Sequence, residues 1–593
     1  MVGFHSFGAI VAASSIFPLS SWATPIGASK NSLQSRQNDY YVITGIKEGG
    51  VQPRLNIRDL GRKPENRDMW TLFLLALERL KARDQQDKLS FYQLAGIHGQ
   101  PYIPWDGVQG RVLPEGEDYH WGYCTHNGLL FSTWHRPYMM LYEQLIHQYA
   151  VEIVGEIKDA TVKARYRDAA TKLRLPYWDW AETPPAGEHV LPDSIAKPTI
   201  SVTFPNNTVA TIDNPLFDYR FHPKRPEDFK SFYEDDPYGE WDKTFRFPDK
   251  YPSAAPTDNL EANINRIDSN LGWARSRLML LYTNWLPFNR FSNQAPGGDD
   301  KIGNLETVHG TIHSTFSQGT MERPDTAAYD PVFWLHHANV DRQLAIWQAL
   351  YPDTYVTPGR SSRQNTFTLD GSAEEPIGDF TPLHPFHRNT EGDFWTSALV
   401  RDTTKLGYTY PELVGNPSNA TLKAKIRTLY DDSVPAQLSV RQEGGGEKTV
   451  REYRATVKMP AGFVASLFLG EPESTPIDWP LDDRFTGSFS TMFDRMASND
   501  ESFVFTSVVT LSAKIAGDKQ SGKLKSDDES AVVEYLKTNL KLKIEDVGRK
   551  VIPASEVPNL KVEVYSQVQT VPASLSEFPS TIETKDYPEI SAW

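Results

Sequence analysis

Residues 120–144 read "HWGYCTHNGLLFSTWHRPYMMLYEQ" and hold the single cysteine of a 593-residue chain. Cys124 stands two positions before His126, and His135 follows among Trp134, Arg136, Pro137 and Tyr138. From His135 to about residue 158 apolar residues recur at helical spacing, with Pro137 tolerated in a first turn capped by Thr133. The stretch thus places imidazoles and a thiol at the start of a strongly apolar helix.

Two further stretches share that periodicity. Residues 66–84, "NRDMWTLFLLALERLKARD", predict a helix that ends in charges. Residues 330–350, "DPVFWLHHANVDRQLAIWQAL", predict one that starts with Asp330 as N-cap and Pro331 as the first helical residue. In "ETVHGTIHSTF", His309 and His313 are four apart and share a helix face. Such a pair can bind one metal ion, and it is not the zinc-protease motif, because Gly310 stands where the catalytic glutamate would be. His336 and His337 point about 100° apart on their helix, so only one of them is expected to face the same metal. His98, His126 and His135 form a second possible trio. Three imidazoles without a charged ligand suit copper better than calcium or magnesium, and can also hold zinc. The other seven histidines, His5, His120, His147, His189, His222, His384 and His387, have no comparable context.

The length predicts two or more structural units, and 39% hydrophobic with 12% aromatic residues is ample for their cores. A net charge of -15 argues against a nucleic-acid or anionic-membrane partner. The apolar run 7–20 followed by Ser21-Trp22-Ala23 has the outline of a signal peptide, and no later stretch looks transmembrane. The sequons Asn206-Asn207-Thr208 and Asn419-Ala420-Thr421 agree with secretion. One cysteine allows no intramolecular disulfide. In an oxidising compartment that thiol must be buried or covalently occupied.

Residues 185–260, rich in Pro, Asp and aromatics, read as long surface loops. After about residue 450 the chain turns β-rich and alternating, with no histidine beyond His387. "YDDSVPAQLSVRQEGGGEK" lies between the two styles as a linker. The expected organisation is a signal peptide over 1–23, a helical domain over 24–415, a linker with an activation cleavage region over 416–448, and a β-rich domain over 449–593.

"CTHNGLLFSTWHRPYMMLYEQ", "LPYWDW" at 175–180, "ETVHGTIH" and "DPVFWLHHANVDR" together resemble the coupled dicopper (type-3 copper) proteins, specifically fungal tyrosinases and polyphenol oxidases. "PRLNIRDL" at 53–60 and "YTYPEL" at 408–413 resemble the opening and closing motifs of that catalytic domain, where Arg54 would pair with Tyr408 and Tyr410. The likeness covers residues 45–415 well and the tail more loosely. It implies a mostly α catalytic domain built on a four-helix bundle holding two copper ions, followed by a smaller β-rich shielding domain. His98, His126 and His135 would hold the first copper, and His309, His313 and His337 the second. Cys124 would form a thioether with His126.

Glu306 would order a water near the second copper. The amide that usually assists it is replaced by Gly310, which sets oxidation of o-diphenols above hydroxylation of monophenols. Phe333, one turn before His337, is placed to pack on copper-bound rings. Asp341 and Arg342 are candidates to orient the ligands from behind. In the tail, "TGSFSTMF" offers Phe493 first and Phe489 second as the aromatic that fills the substrate position. A CxxC copper-delivery motif is impossible here. The implied partners are O2, small phenols converted to o-quinones, and an activating protease. Two other readings share some of these features: an oxygen carrier with the same copper geometry, and a zinc-bound structural or hydrolytic protein.

Overall fold

The computed structural model describes residues 40–230, 237–294, 301–360, 365–371, 374–431, 448–491, 504–546 and 548–591. The signal-peptide stretch 1–23 lies outside them. The periodicity of 66–84 forms helix α1, Arg67–Ala82, which buries Trp70, Phe73, Leu74 and Leu77. Helix α2, Phe91–His98, is capped by Ser90, whose hydroxyl accepts from the Gln93 N–H. Helix α3, Phe131–Glu156, starts four residues before the expected start, so Pro137 sits inside it rather than in its first turn. Thr133 is not its cap. Its hydroxyl bonds Leu130 O and Ser397 Oγ inside the core.

Helix α4, Leu271–Thr283, is followed by α5, Leu305–Ser314, and α6, Val332–Leu350. Asp330 caps α6 as expected, its Oδ1 accepting from the Val332 N–H at 3.0 Å. The same carboxylate grips the buried Arg246 through both oxygens. Stretch 185–260 is therefore not simply surface loop. It supplies Arg246 and a hairpin of β-strands, Thr199–Thr203 with Val209–Asp213, and it buries Trp241 and Phe245. α1 packs on α3, α3 on α6, and α5 on α6.

The ends of the helical domain are tied by a short parallel pair, Gln52–Pro53 with Tyr408–Thr409. The linker expected from 416 onward begins with a helix, α7, Asn419–Tyr430, whose tyrosine hydroxyl bonds Asp179 and Arg342 in the core. Residues 432–447 lie outside the described part.

The β-rich tail forms two antiparallel four-stranded sheets. One runs Phe505–Thr510, Thr449–Met459, Lys561–Thr570 and Thr581–Asp586; the other Val551–Ile552, Leu540–Asp546, Phe463–Leu469 and Phe485–Ser490. Two short helices, Ser512–Gln520 and Glu529–Asn539, accompany them. The strand Phe485–Ser490 lies on α5, with Thr311 Oγ1 donating to Ser490 O, and Ser276 of α4 shares a 2.6 Å hydrogen bond with Thr510. Among the described residues no helix is long and apolar enough to cross a membrane.

Candidate metal centre

Two clusters of imidazoles meet where α2, α3, α5 and α6 converge. His98 ends α2, His126 precedes α3, and His135 lies in its second turn. His309 and His313 lie on α5, and His336 and His337 on α6. Ligand atoms of His98, Cys124, His126 and His135 form one group, and those of His309, His313, His336 and His337 another, each within 4.8 Å. The clusters adjoin: the His135 and His337 rings stack with centroids 4.2 Å apart.

Backbone carbonyls aim the rings. His98 Nδ1 donates to Pro324 O, His135 Nδ1 to Phe131 O, and His313 Nδ1 to Met321 O, each at 2.7 Å. A carbonyl can only accept, so these Nδ1 atoms carry the proton and the Nε2 lone pairs face the centre. Burial keeps the rings neutral: His126 titrates at about 4, His135 and His313 at about 3, and His98, His309, His336 and His337 well below the usual range. Neutral imidazole is the form a metal needs.

The donor set fits a metal in each cluster. His337 Nε2 lies 3.3 Å from both His309 Nε2 and His313 Nε2. One proton can bridge only one of those contacts, whereas two nitrogens on a single tetrahedral ion at ~2.0–2.1 Å stand about 3.3 Å apart. His98 Nε2 is buried without a partner, as expected of a lone pair reserved for an ion. Three imidazoles per site and no carboxylate match copper.

His336 departs from the geometric expectation. Its ring centroid is 4.7 Å from that of His313 and 5.2 Å from that of His309, so both members of the pair reach the cluster despite the ~100° helical offset. Only His337 shows the close double nitrogen contact.

Phe333 packs on the rings as its spacing predicts, 4.1 Å from His337 and 4.8 Å from His98 between centroids. Cys124 is a free, buried thiol with Sγ 3.5 Å from His126 Nε2 and 3.4 Å from His135 Nε2. Burial, and then the nearby Glu306 charge, push its pKa well up. Glu306 is held by two backbone donors, the N–H of Asn127 at 2.6 Å and that of Gln294 at 3.0 Å. Gly310 lies one turn beyond Glu306 on the same face of α5, and both line a cavity of about 20 Å³, room for one water. His126, Asn127 and His309 share that cavity, and Phe489, Ser490 and Phe505 of the β-rich domain close it. Phe493, the first choice for the occluding aromatic, lies outside the described residues.

Asp341 and Arg342 do not orient imidazoles through hydrogen bonds. Asp341 Oδ2 accepts from Tyr408 at 2.7 Å, Tyr410 at 2.6 Å and Arg54 at 3.2 Å, and Oδ1 accepts from Arg136 at 2.6 Å. Burial alone would raise its pKa, but Arg136, Arg54 and the two hydroxyls outweigh burial and hold it low. Arg342 bridges Asp179 of "LPYWDW" to Glu412. The reason is length: one turn past His337 the short aspartate meets the domain's closing motifs, not the ring behind it. Arg54 also lies 3.6 Å over the Tyr408 ring and pairs with Glu143 at 2.8 Å.

Sequence reasoning missed Asn127, Phe505 and Glu143. Asn127 has a left-handed backbone, φ 53°, which asparagine tolerates well, and its place beside His126 was the available signal.

The family model for the common central domain of tyrosinase matches residues 88–350, and that for the tyrosinase C-terminal domain matches 454–564. A tyrosinase of Podospora anserina is 35% identical over 415 residues, covering 67% of this chain and 70% of its own. Polyphenol oxidase 2 of Agaricus bisporus is 36% identical over 426 residues, covering 69% and 70%. The structure of recombinant mushroom tyrosinase superposes with a TM-score of 0.76 at 27% identity, over 93% of this chain and 99% of that one. An Aspergillus oryzae pro-tyrosinase variant, at 22% identity and a TM-score of 0.68 over 93% and 99%, shares the fold.

Proposed function

The chain belongs to the tyrosinase family and is a dicopper phenol oxidase, and on that premise we propose how its own residues divide the work. The convergence of His309, His313 and His337 through Nε2 carries the reading. His98, His126 and His135 hold the first copper, and those three the second. Bound there, a copper pair would supply two-electron chemistry toward O2. The protein keeps six imidazoles neutral and aimed, and packs Phe333 against them to exclude water. Glu306, fixed by Asn127 and Gln294, faces the same small cavity as Gly310 and is placed to hold a water and receive a phenolic proton.

Gly310 offers no amide to share that task, so o-diphenols are the better substrates and monophenols react more slowly. Phe489 and Phe505 close the cavity, which supports a proenzyme activated by proteolysis between the two domains. The expected signal peptide supports entry into the secretory route.

O2 uptake with a monophenol and an o-diphenol side by side, on protease-treated copper-loaded protein, tests the function. Binding of O2 without turnover would make the chain a carrier, and zinc in place of two coppers would overturn the reading. His337→Ala loses the second copper while His336→Ala retains it, and the reverse result would exchange their roles.

A further inference from the structure

The sequon Asn206-Asn207-Thr208 forms the exposed tip of the hairpin between Thr199–Thr203 and Val209–Asp213. Asn207 adopts the left-handed φ of 63°, and the turn is closed by hydrogen bonds from Asn207 N–H to Phe204 O and from Phe204 N–H to Thr208 O, both at 2.8 Å. Thr208 N–H and Oγ1 both donate to Asn206 Oδ1, at 3.1 and 2.7 Å. The carboxamide oxygen is therefore engaged, while the Asn206 amide nitrogen enters no hydrogen bond among the described residues. An open groove of about 870 Å³ begins at this tip and runs between α1 and the end of α3. Leu75, Ile153, Ile157, Val162 and Phe204 give it an apolar floor, and the Arg79–Glu156 pair edges it.

We infer that Asn206 carries an N-linked glycan whose first sugars lie over this groove. The inference rests on the secretory reading above. Transfer joins Asn206 Nδ2 to C1 of a sugar on a lipid-linked oligosaccharide diphosphate. The N–C bond forms, the C1–O bond to diphosphate breaks, the lipid diphosphate leaves, and one amide proton is lost. Transfer precedes folding, so the finished fold must only accommodate the product. At Asn206 it does so without loss, because the amide nitrogen is free and the tip is exposed. The apolar face of a pyranose ring suits Phe204, and its hydroxyls suit the charged rim. The other sequon differs. Asn419 sits in the first turn of α7, its amide nitrogen bonds Leu350 O at 3.5 Å, and Thr421 is engaged by Ser418.

Peptide mapping of full-length protein secreted from a glycosylating fungal host tests this, with N-terminal sequencing on the same sample. Asn206 should be modified and released as Asp by a glycan amidase. Asn206→Gln and Thr208→Ala should each lose one glycan, Thr208→Ser should keep it, and Asn419→Gln should change nothing. An unmodified Asn206 in a chain whose leader has been removed overturns the proposal alone. Protein retained in the cells with its leader intact and both sequons bare overturns the secretory reading and the proposal with it. Enzymatic removal of the glycan from folded protein should raise binding of an apolar dye, and unchanged binding would overturn the seat in the groove.

Discussion

The backbone N–H of Asn127 donates to Glu306 Oε1 at 2.6 Å, linking the residue after His126 of one histidine cluster to a carboxylate three residues before His309 of the other. The two half-sites are thus stitched together through a group that also faces the reaction cavity. Glu306→Gln puts an NH2 group opposite one of two backbone donors and removes the charge. A hydrogen bond to a charged group contributes about 1.5–3 kcal/mol, so a comparable loss of stability is expected. Monophenol turnover should fall more than diphenol turnover, because a monophenol depends more heavily on a base for its phenolic proton. Denaturant unfolding and paired substrate assays read the two effects, and equal loss on both substrates would remove Glu306 from proton transfer.

Cys124 Sγ stands within 3.5 Å of Nε2 of both His126 and His135, in a pocket that keeps the thiol protonated. A thioether to a His126 ring carbon breaks one S–H and one C–H bond, forms one S–C bond and passes two electrons to O2, which the enzyme already consumes. After copper loading in air, Cys124 should resist alkylation under denaturing conditions, and its peptide should migrate joined to that of His126. In copper-free protein the thiol should alkylate fully. Full alkylation of mature, active enzyme would disprove the link.

The buried histidines of the two clusters set a pH limit. Their folded pKa values lie below the unfolded value of about 6.5, with His126 at about 4 and His135 and His313 at about 3. Between those values the unfolded chain binds more protons than the folded one. Stability is therefore fully present above pH ~6.5 and declines as the pH falls toward ~3–4. Copper binding acts in the same sense, since protons compete for the ligands. The denaturation midpoint of copper-free protein should drop through this window, and copper-loaded protein should hold its midpoint to lower pH. A flat profile for the copper-free chain would show that the rings are not buried neutral.

The proposed latency rests on Phe489 and Phe505, which line the cavity from the β-rich domain. The linker region first proposed for cleavage overlaps α7, whose Tyr430 is anchored on Asp179 and Arg342. Cuts that activate without loss of stability should therefore fall beyond Tyr430. Phe489→Ala in the uncut chain should raise o-diphenol turnover part of the way to the trimmed level, since it opens space but leaves the domain in place. An uncut chain already as active as the trimmed one would end the shielding role.

The helices, the His309–His313 pair and the change to β structure at about 450 were legible because each rests on local pattern, periodicity, caps and alternation, whereas the other histidines were grouped through the family resemblance. Asp341 shows where local pattern ends. Its four donors, at positions 54, 136, 408 and 410, come from three separate parts of the chain, 67 to 287 residues from Asp341, and no spacing rule selects them over a ring one turn away. Arg246 shows the same thing. A loop-like composition hid a buried arginine, because its counter-charge, Asp330, was already accounted for as a helix cap.

Gly310 tests how much of the substrate preference one side chain decides. It lies one turn from Glu306 on α5, and both face a cavity with room for one water. Without an amide at 310, that water lacks a carboxamide partner to the carboxylate on this helix, and a phenol with a pKa near ~10 should be deprotonated slowly. Wild-type protein should turn over o-diphenols faster than monophenols and show a lag on the latter. Gly310→Asn should raise the monophenol rate by ~10-fold or less, the scale of a partial general-base effect, and change the diphenol rate little. Asparagine is only a few tenths of a kcal/mol better than glycine inside a helix, so a marked loss of stability would mean that the cavity cannot take the side chain. If wild-type protein hydroxylates monophenols as fast as it oxidises diphenols, the second anchor lies elsewhere. Asn127, whose backbone already holds Glu306, is then the residue to replace next.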